Sequence, residues 1–190
     1  MRKKIIIYNS PVILTYSIIS LVVLILGMAT DYTITYTWFA VYRSGWGNPF
    51  TYLRMFTHII GHASVQHYVS NFMYILLLGP SVEERYGSRK LLAMILLTAL
   101  VIGLVFVAFN PTGALLGASG IVFMLIILAS ATNFSRGQIP MTMIMIALIY
   151  IGSEIYSGVT SSDSVSQLSH ILGGVMGIIF ALTMPKKGKA

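Results

Sequence analysis

Residues 91–109, LLAMILLTALVIGLVFVAF, run for nineteen positions without a charge. As a helix rising 1.5 Å per residue, the stretch is about 28 Å long, close to the ~30 Å of hydrocarbon in a bilayer. No side of it is polar enough to face water, so it reads as a membrane span. Five more apolar stretches flank it, near Pro11–Ala29, His67–Val82, Gly117–Ala131, Ile139–Ile155 and Leu168–Met184. Pro11–Ala29 is also full length, whereas Gly117–Ala131 is short for a bilayer and is expected to begin below the outer surface. Gly and Pro punctuate the connections, at Asn110-Pro111-Thr112-Gly113, at Arg136-Gly137-Gln138 and at Gly158-Val159-Thr160-Ser161-Ser162. The pattern predicts an all-α membrane protein, a six-helix bundle filling residues 1–190 as one domain. A long outer loop of roughly 37 residues separates its first two spans, and Trp38, Tyr42, Trp46 and Phe50 suit that loop to the membrane interface.

Composition agrees. Hydrophobic residues make up 56% of the chain and charged ones 9%, with a mean hydropathy of +0.84. That is too little charge to cover a water-soluble domain of this size. There is no cysteine, so disulfides and thiolate metal sites are excluded. Arg2, Lys3 and Lys4 ahead of an apolar run resemble a signal peptide. Pro11–Ala29 is nevertheless long enough to span, and Thr30-Asp31-Tyr32 offers no small-x-small cleavage site, so the segment is expected to be a retained first helix.

The net charge of +7 is explained by topology. With the N-terminus in the cytoplasm, Arg2, Lys3, Lys4, Arg85, Arg89, Lys90, Arg136, Lys186, Lys187 and Lys189 all fall inside. Of the 12 basic residues only Arg43 and Arg54 fall outside. This positive-inside bias places both termini in the cytoplasm and leaves no need for a nucleic-acid partner.

In that orientation the second, fourth and sixth spans all begin at the outer face, and each beginning carries polar residues. His67 and Asn71 are four apart, on one helical face. Ser119 stands in Gly117-Ala118-Ser119-Gly120, and His170 lies about one turn into the last span. Singly, such a Ser packs helices, such a His staples them, and such an Asn glues them. Their convergence at one depth, with glycines beside the Ser, points to chemistry. A serine at a helix start lies where free N–H groups and the helix dipole stabilise negative charge, as the oxyanion of acyl transfer requires. His170 is placed to take the Ser119 proton and return it to a leaving amine, with His67 and Asn71 as side-chain donors. Asp163 and Glu154 are the nearest acids, and spacing assigns neither to His170, so a dyad is favoured.

These residues carry a family resemblance. Gly117-Ala118-Ser119-Gly120 looks like the GxSG motif of rhomboid proteases, and His67-Tyr68-Val69-Ser70-Asn71 resembles their HxxxN. The segment from His170 through Gly173 to Gly177 is similar to their HxxGxxxG. Glu83-Glu84-Arg85-Tyr86-Gly87 resembles ExRxG. The resemblance implies a compact six-span intramembrane serine endopeptidase of the bacterial plasma membrane, its active site toward the outer face. It implies a Ser119–His170 dyad, an oxyanion and substrate pocket involving His67, Asn71, Gly117 and Gly120, and neither metal nor cofactor. Its partners would be single-span transmembrane substrates and the lipid bilayer. Glu83, Arg85, Gly87, Gly173 and Gly177 would shape the scaffold, and the fifth span, with Tyr150 and Tyr156, would gate sideways access of substrate.

Two departures stand out. Leu53-Arg54 replaces the family's frequent Trp-Arg, leaving Arg54 as that loop's structural residue. Phe123 replaces a tyrosine that stacks on the catalytic histidine, keeping the ring and losing the hydroxyl. Rival readings are an inactive relative that binds membrane clients and a small channel or transporter. The intact Ser119 and His170 count against the first. The second has no use for a glycine-flanked serine at a helix start.

Overall fold

The computed structural model describes residues 7–110, 112–131, 141–146, 148–149, 152 and 164–184. Seven helices carry most of them: α1 Pro11–Ala29, α2 Thr33–Trp38, α3 Pro49–Thr57, α4 Val65–Tyr86, α5 Ser88–Phe109, α6 Ser119–Ser130 and α7 Ser164–Thr183. Among the described residues there is no strand, only an isolated antiparallel bridge between Val41 and Leu115. α1 and α5 are long and apolar enough to cross a membrane, while α6 and Gln167–Thr183 are shorter apolar helices. Helical backbone recurs at 141–146, 148–149 and 152; the remainder of the expected fifth span lies outside the described residues.

Boundaries differ from the hydropathy reading for local reasons. α4 starts at Val65 because the Ser64 hydroxyl accepts the His67 N–H at 3.1 Å. It runs on past Val82 through Glu83–Arg85, since a helix need not stop where its apolar stretch does. Gly87, at φ +83°, then turns the chain into α5, a backbone conformation that a side chain disfavours. α6 begins at Ser119 and not at Gly117, which sits at φ +121° outside the helical region. α7 begins at Ser164, so His170 lies nearly two turns in and not one. The connection between α1 and α4 is not plain loop either, because α2 and α3 lie within it.

α6 is the central helix. Ile121, Val122 and Met124–Leu128 are all buried, which is why its sequence is apolar on every side. α7 crosses it with almost no gap: a Cβ on Gly173 would collide with the Gly120 carbonyl oxygen, and one on Gly177 would lie 2.9 Å from the Met124 carbonyl oxygen. Small residues at this spacing let helix backbones touch. α3 lies against α5 in the same manner, since a Cβ on Gly103 would stand 2.7 Å from the Met55 Cα. On the outside, α1 exposes Ile18, Ile19, Leu21, Val22, Ile25, Leu26 and Met28, each at 41% or more. Seven large apolar side chains bare on one helix suit lipid as the surrounding solvent, not water.

Candidate active site

Ser119 is the first residue of α6, with Ala118 as N-cap. The first turn closes with Val122 N–H donating to Ala118 O at 3.0 Å. The N–H groups of Ser119, Gly120 and Ile121 precede it, and such first-turn groups have no acceptor within their own helix. A cavity of about 340 Å³ opens beside this helix start, lined by His67, Ser70, Asn71 and Tyr74 of α4, Leu115 and Leu116, Ser119, Val122 and Phe123 of α6, and His170 of α7. The four polar residues singled out in the sequence therefore face one space, brought there by three helices.

The ring of Phe123 lies flat on that of His170, centroids 4.5 Å apart and planes 11° apart. Four residues separate Phe123 from Ser119, one turn of α6, so the helix that starts with the serine also holds the imidazole. Asn71 Nδ2 donates to the His67 carbonyl at 3.0 Å, which keeps its amide on the cavity side of α4. Gly117 packs against His67: a Cβ there would lie 2.6 Å from His67 Nε2. The Gly117 N–H donates to the His58 carbonyl at 2.9 Å, fixing the loop ahead of Ser119. Gly120 has a different role from its neighbour. Its missing side chain makes room for Ile102 and for the Ser169 carbonyl, and neither it nor Gly117 is among the residues that line the cavity.

Sequence comparison bears on the same residues. The profile of the Rhomboid domain matches residues 49–187, well over half of the chain. The chain belongs to the rhomboid family. The Rhomboid protease GlpG of Pectobacterium atrosepticum is 26% identical over 180 residues, 90% of this chain and 62% of that protein. Rhomboid-like protease 3 of Toxoplasma gondii is 35% identical over 80 residues, 42% of this chain and 30% of that one. The chain thus spans less than two thirds of either relative. As a rhomboid it is an integral membrane protein.

The remaining motif residues of this rhomboid lie away from the cavity. The Glu83 carboxylate accepts from Val12 N–H at 3.0 Å, Ile13 N–H at 3.1 Å and the Ser88 hydroxyl at 2.7 Å. It caps the start of α1, where Ser10 makes no side-chain cap, and ties α1, α4 and α5 together at one end. Arg85 donates to the Leu128 carbonyl at 3.4 Å, near the end of α6. Arg54 is buried, donates to the Thr37 carbonyl at 3.0 Å and the Ser44 hydroxyl at 3.1 Å, and lies 4.1 Å above the Tyr42 ring. Those bonds hold the segment between α1 and α3 without a tryptophan at position 53. Tyr150, Glu154, Tyr156 and Asp163 lie outside the described residues.

The sequence reading passed over two histidines. His58 is buried, with Nε2–H donating to the Ala99 carbonyl at 3.1 Å. His62, also buried, donates from Nδ1 to the Ile60 carbonyl at 3.1 Å and sets its ring edge-on to His67, 5.0 Å away. Burial pushes both imidazoles down to about 4, against the raising effect of their carbonyl acceptors; the nearby His67 lowers His62 further. Their signal was the His-x-x-x-His spacing, but no span contained it. Tyr74 and Ser70 were legible in principle, seven and three residues after His67 and so on its face. Among the described residues no group of three His, Asp or Glu side chains is placed to hold a metal.

Proposed function

We propose that this rhomboid is an intramembrane serine endopeptidase with Ser119 as nucleophile and His170 as general base. The observation that carries the proposal is the shared cavity: a serine at a helix start opens onto the same space as a histidine whose ring is stacked in place by Phe123. In the proposed reaction His170 takes the hydroxyl proton as Ser119 Oγ adds to the scissile carbonyl. The carbonyl oxygen becomes the oxyanion, met by first-turn N–H groups of α6 and by donors on His67 and Asn71. His170 then gives its proton to the departing amine as the C–N bond breaks. Water, deprotonated by the same imidazole, hydrolyses the acyl ester and restores Ser119.

The reading extends to topology. Six spans, with both termini cytoplasmic, put the cavity toward the outer face, about one turn below it. The substrates are single-span transmembrane proteins, cut near their outer boundary. Support comes from the charge bias and from the shortness of α6, whose 12 residues rise only about 18 Å.

A fluorophosphonate probe on the full chain in detergent or proteoliposomes tests the assignment. Labelling of wild type at Ser119 is expected, with none in Ser119→Ala or His170→Ala. Both variants should lose proteolysis of a transmembrane reporter and keep the wild-type thermal midpoint, and the double variant should be no worse than either. Wild-type turnover in either single variant would overturn the dyad.

A further inference from the structure

His67 and His170 reach the cavity from different helices, and their rings are held in different ways. The Phe123 ring lies flat on that of His170. The backbone of His67 is pinned: its N–H donates to the Ser64 hydroxyl at 3.1 Å, and its carbonyl accepts from Asn71 and from the Ser70 hydroxyl, both at 3.0 Å. Its ring has no such bonds, since among the described residues none pairs with either ring nitrogen. Packing holds it instead. Gly117 lies so close that a Cβ there would stand 2.6 Å from His67 Nε2 and 2.7 Å from Cε1. His62 meets the same ring edge-on, centroids 5.0 Å apart and planes 67° apart.

His62 is itself a fixed support. It stands in the segment between α3 and α4, fully buried. Its Nδ1–H donates to the Ile60 carbonyl at 3.1 Å, which sets the tilt of the ring. That ring also meets those of Tyr68 and Phe72 on α4, each 5.5 Å away, at 83° and 61°. Edge-to-face contacts of this kind are directional. Nε2 is buried and meets no donor among the described residues, and an unpaired buried acceptor costs stability. A phenylalanine would fill the same space without that cost. What histidine adds is the Nδ1 anchor, and with it a ring held at one angle against His67. The same segment steers the other neighbour of His67, because the His58 carbonyl accepts the Gly117 N–H at 2.9 Å.

We propose that His62 is the positioning residue for His67, its anchored ring holding the His67 imidazole at the angle from which it meets the oxyanion. His62 does not line the cavity, so it acts only through its neighbour. The inference rests on the serine-protease reading, in which His67 is an oxyanion donor.

Two substitutions separate the ring from its anchor. His62→Asn keeps a donor for the Ile60 carbonyl and removes the ring, whereas His62→Phe keeps the ring and removes the donor. Both are compared with wild type on a transmembrane reporter in proteoliposomes, with turnover taken per folded molecule and thermal midpoints measured alongside. His62→Asn is expected to lose turnover about tenfold at an apparent KM within about twofold of wild type. That is a fraction of the roughly 100- to 1000-fold that a whole oxyanion donor is worth. His62→Phe should keep turnover within about threefold, whatever its midpoint does. In the His67→Ala background, His62→Asn should cost less than about twofold more, since nothing is left to position. Tyr16→Phe loses the bond to the Ile59 carbonyl (2.7 Å) in the same segment; it should move the midpoint and leave turnover per folded molecule unchanged. Full turnover in folded His62→Asn would overturn the proposal. So would a tenfold loss that persists in the His67→Ala background, which would make His62 a structural residue. Fluorophosphonate labelling at Ser119 keeps the two readings apart. An active, labelled wild type with an uncoupled His62 ends this proposal alone, whereas a wild type neither labelled nor active ends the protease reading with it.

Discussion

Asn71 and His58 show how single residues bear on the site from opposite sides. The Asn71 amide faces the cavity and is anchored through the His67 carbonyl, so as an oxyanion donor it would act mainly in the transition state. Asn71→Ala is expected to cut turnover roughly 10- to 1000-fold with a smaller change in apparent affinity, read from kinetics on a transmembrane reporter. Lost affinity at unchanged turnover would make it a ground-state contact. His58 acts through stability. Its folded pKa of about 4 lies below the ordinary 6.5, so on acidification the unfolded chain takes up a proton before the folded one. Its contribution is complete above pH 6.5 and is lost as pH falls toward 4, a change on the order of 3 kcal/mol. The thermal midpoint should therefore fall across that window, and His58→Asn should flatten the slope. A midpoint that holds or rises on acidification would show that the buried imidazole is not kept neutral.

At the scale of elements, helix ends do most of the organising. Glu83 supplies the cap that α1 lacks, and Arg85 reaches the last turn of α6. Along α4 these residues stand 16 and 18 positions from His67, roughly 24–27 Å away. Their loss should register as unfolding and leave the chemistry of folded molecules intact. Arg85→Ala is expected to lower the thermal midpoint by a few degrees, and Glu83→Ala by more, since three donors lose their acceptor. Residual activity should track the folded fraction; a normal midpoint with no activity would place this motif in the mechanism. Helix ends also mark where sequence reading stopped. Hydropathy located the apolar centres of α1, α4, α5, α6 and α7, because lipid exposure and burial both demand apolar side chains. It missed the starts of α4 and α7, which are polar turns, and it missed α2 and α3, whose short amphipathic sequences carry no span-length signal. The serine, both cavity histidines and Asn71 were legible because polar residues at one depth in apolar spans are conspicuous. His58 and His62 were not, since the segment between α3 and α4 had no expected depth against which they would stand out.

For the whole molecule, the proposed depth of the cavity sets what a substrate of the proposed protease would have to be. A transmembrane helix keeps its carbonyls in internal hydrogen bonds, and opening them in lipid is costly. On the proposed reading Ser119 would attack only an extended peptide, so a transmembrane substrate would have to unwind near its outer end before the cut. The cavity of about 340 Å³ is bounded by Leu115 and Leu116 on the loop and by Tyr74 on α4, which on the same reading would leave room for small side chains beside the scissile bond. Helix-breaking residues should therefore govern selection more than any one side chain. The comparison that checks this is a single-span reporter with Gly or Pro in its upper third against the same reporter with Leu throughout, both in proteoliposomes. The Gly version is expected to be cleaved about fivefold faster and the Pro version about a hundredfold, since a Gly costs a helix about 1 kcal/mol and a Pro about 3. If sideways access past the fifth span limits the rate, Tyr150→Ala or Tyr156→Ala should raise turnover of both reporters without changing their ratio. Equal cleavage of the two reporters, unmoved by either tyrosine change, would mean that neither unwinding nor access selects substrates, and that recognition rests on residues outside the substrate's membrane segment.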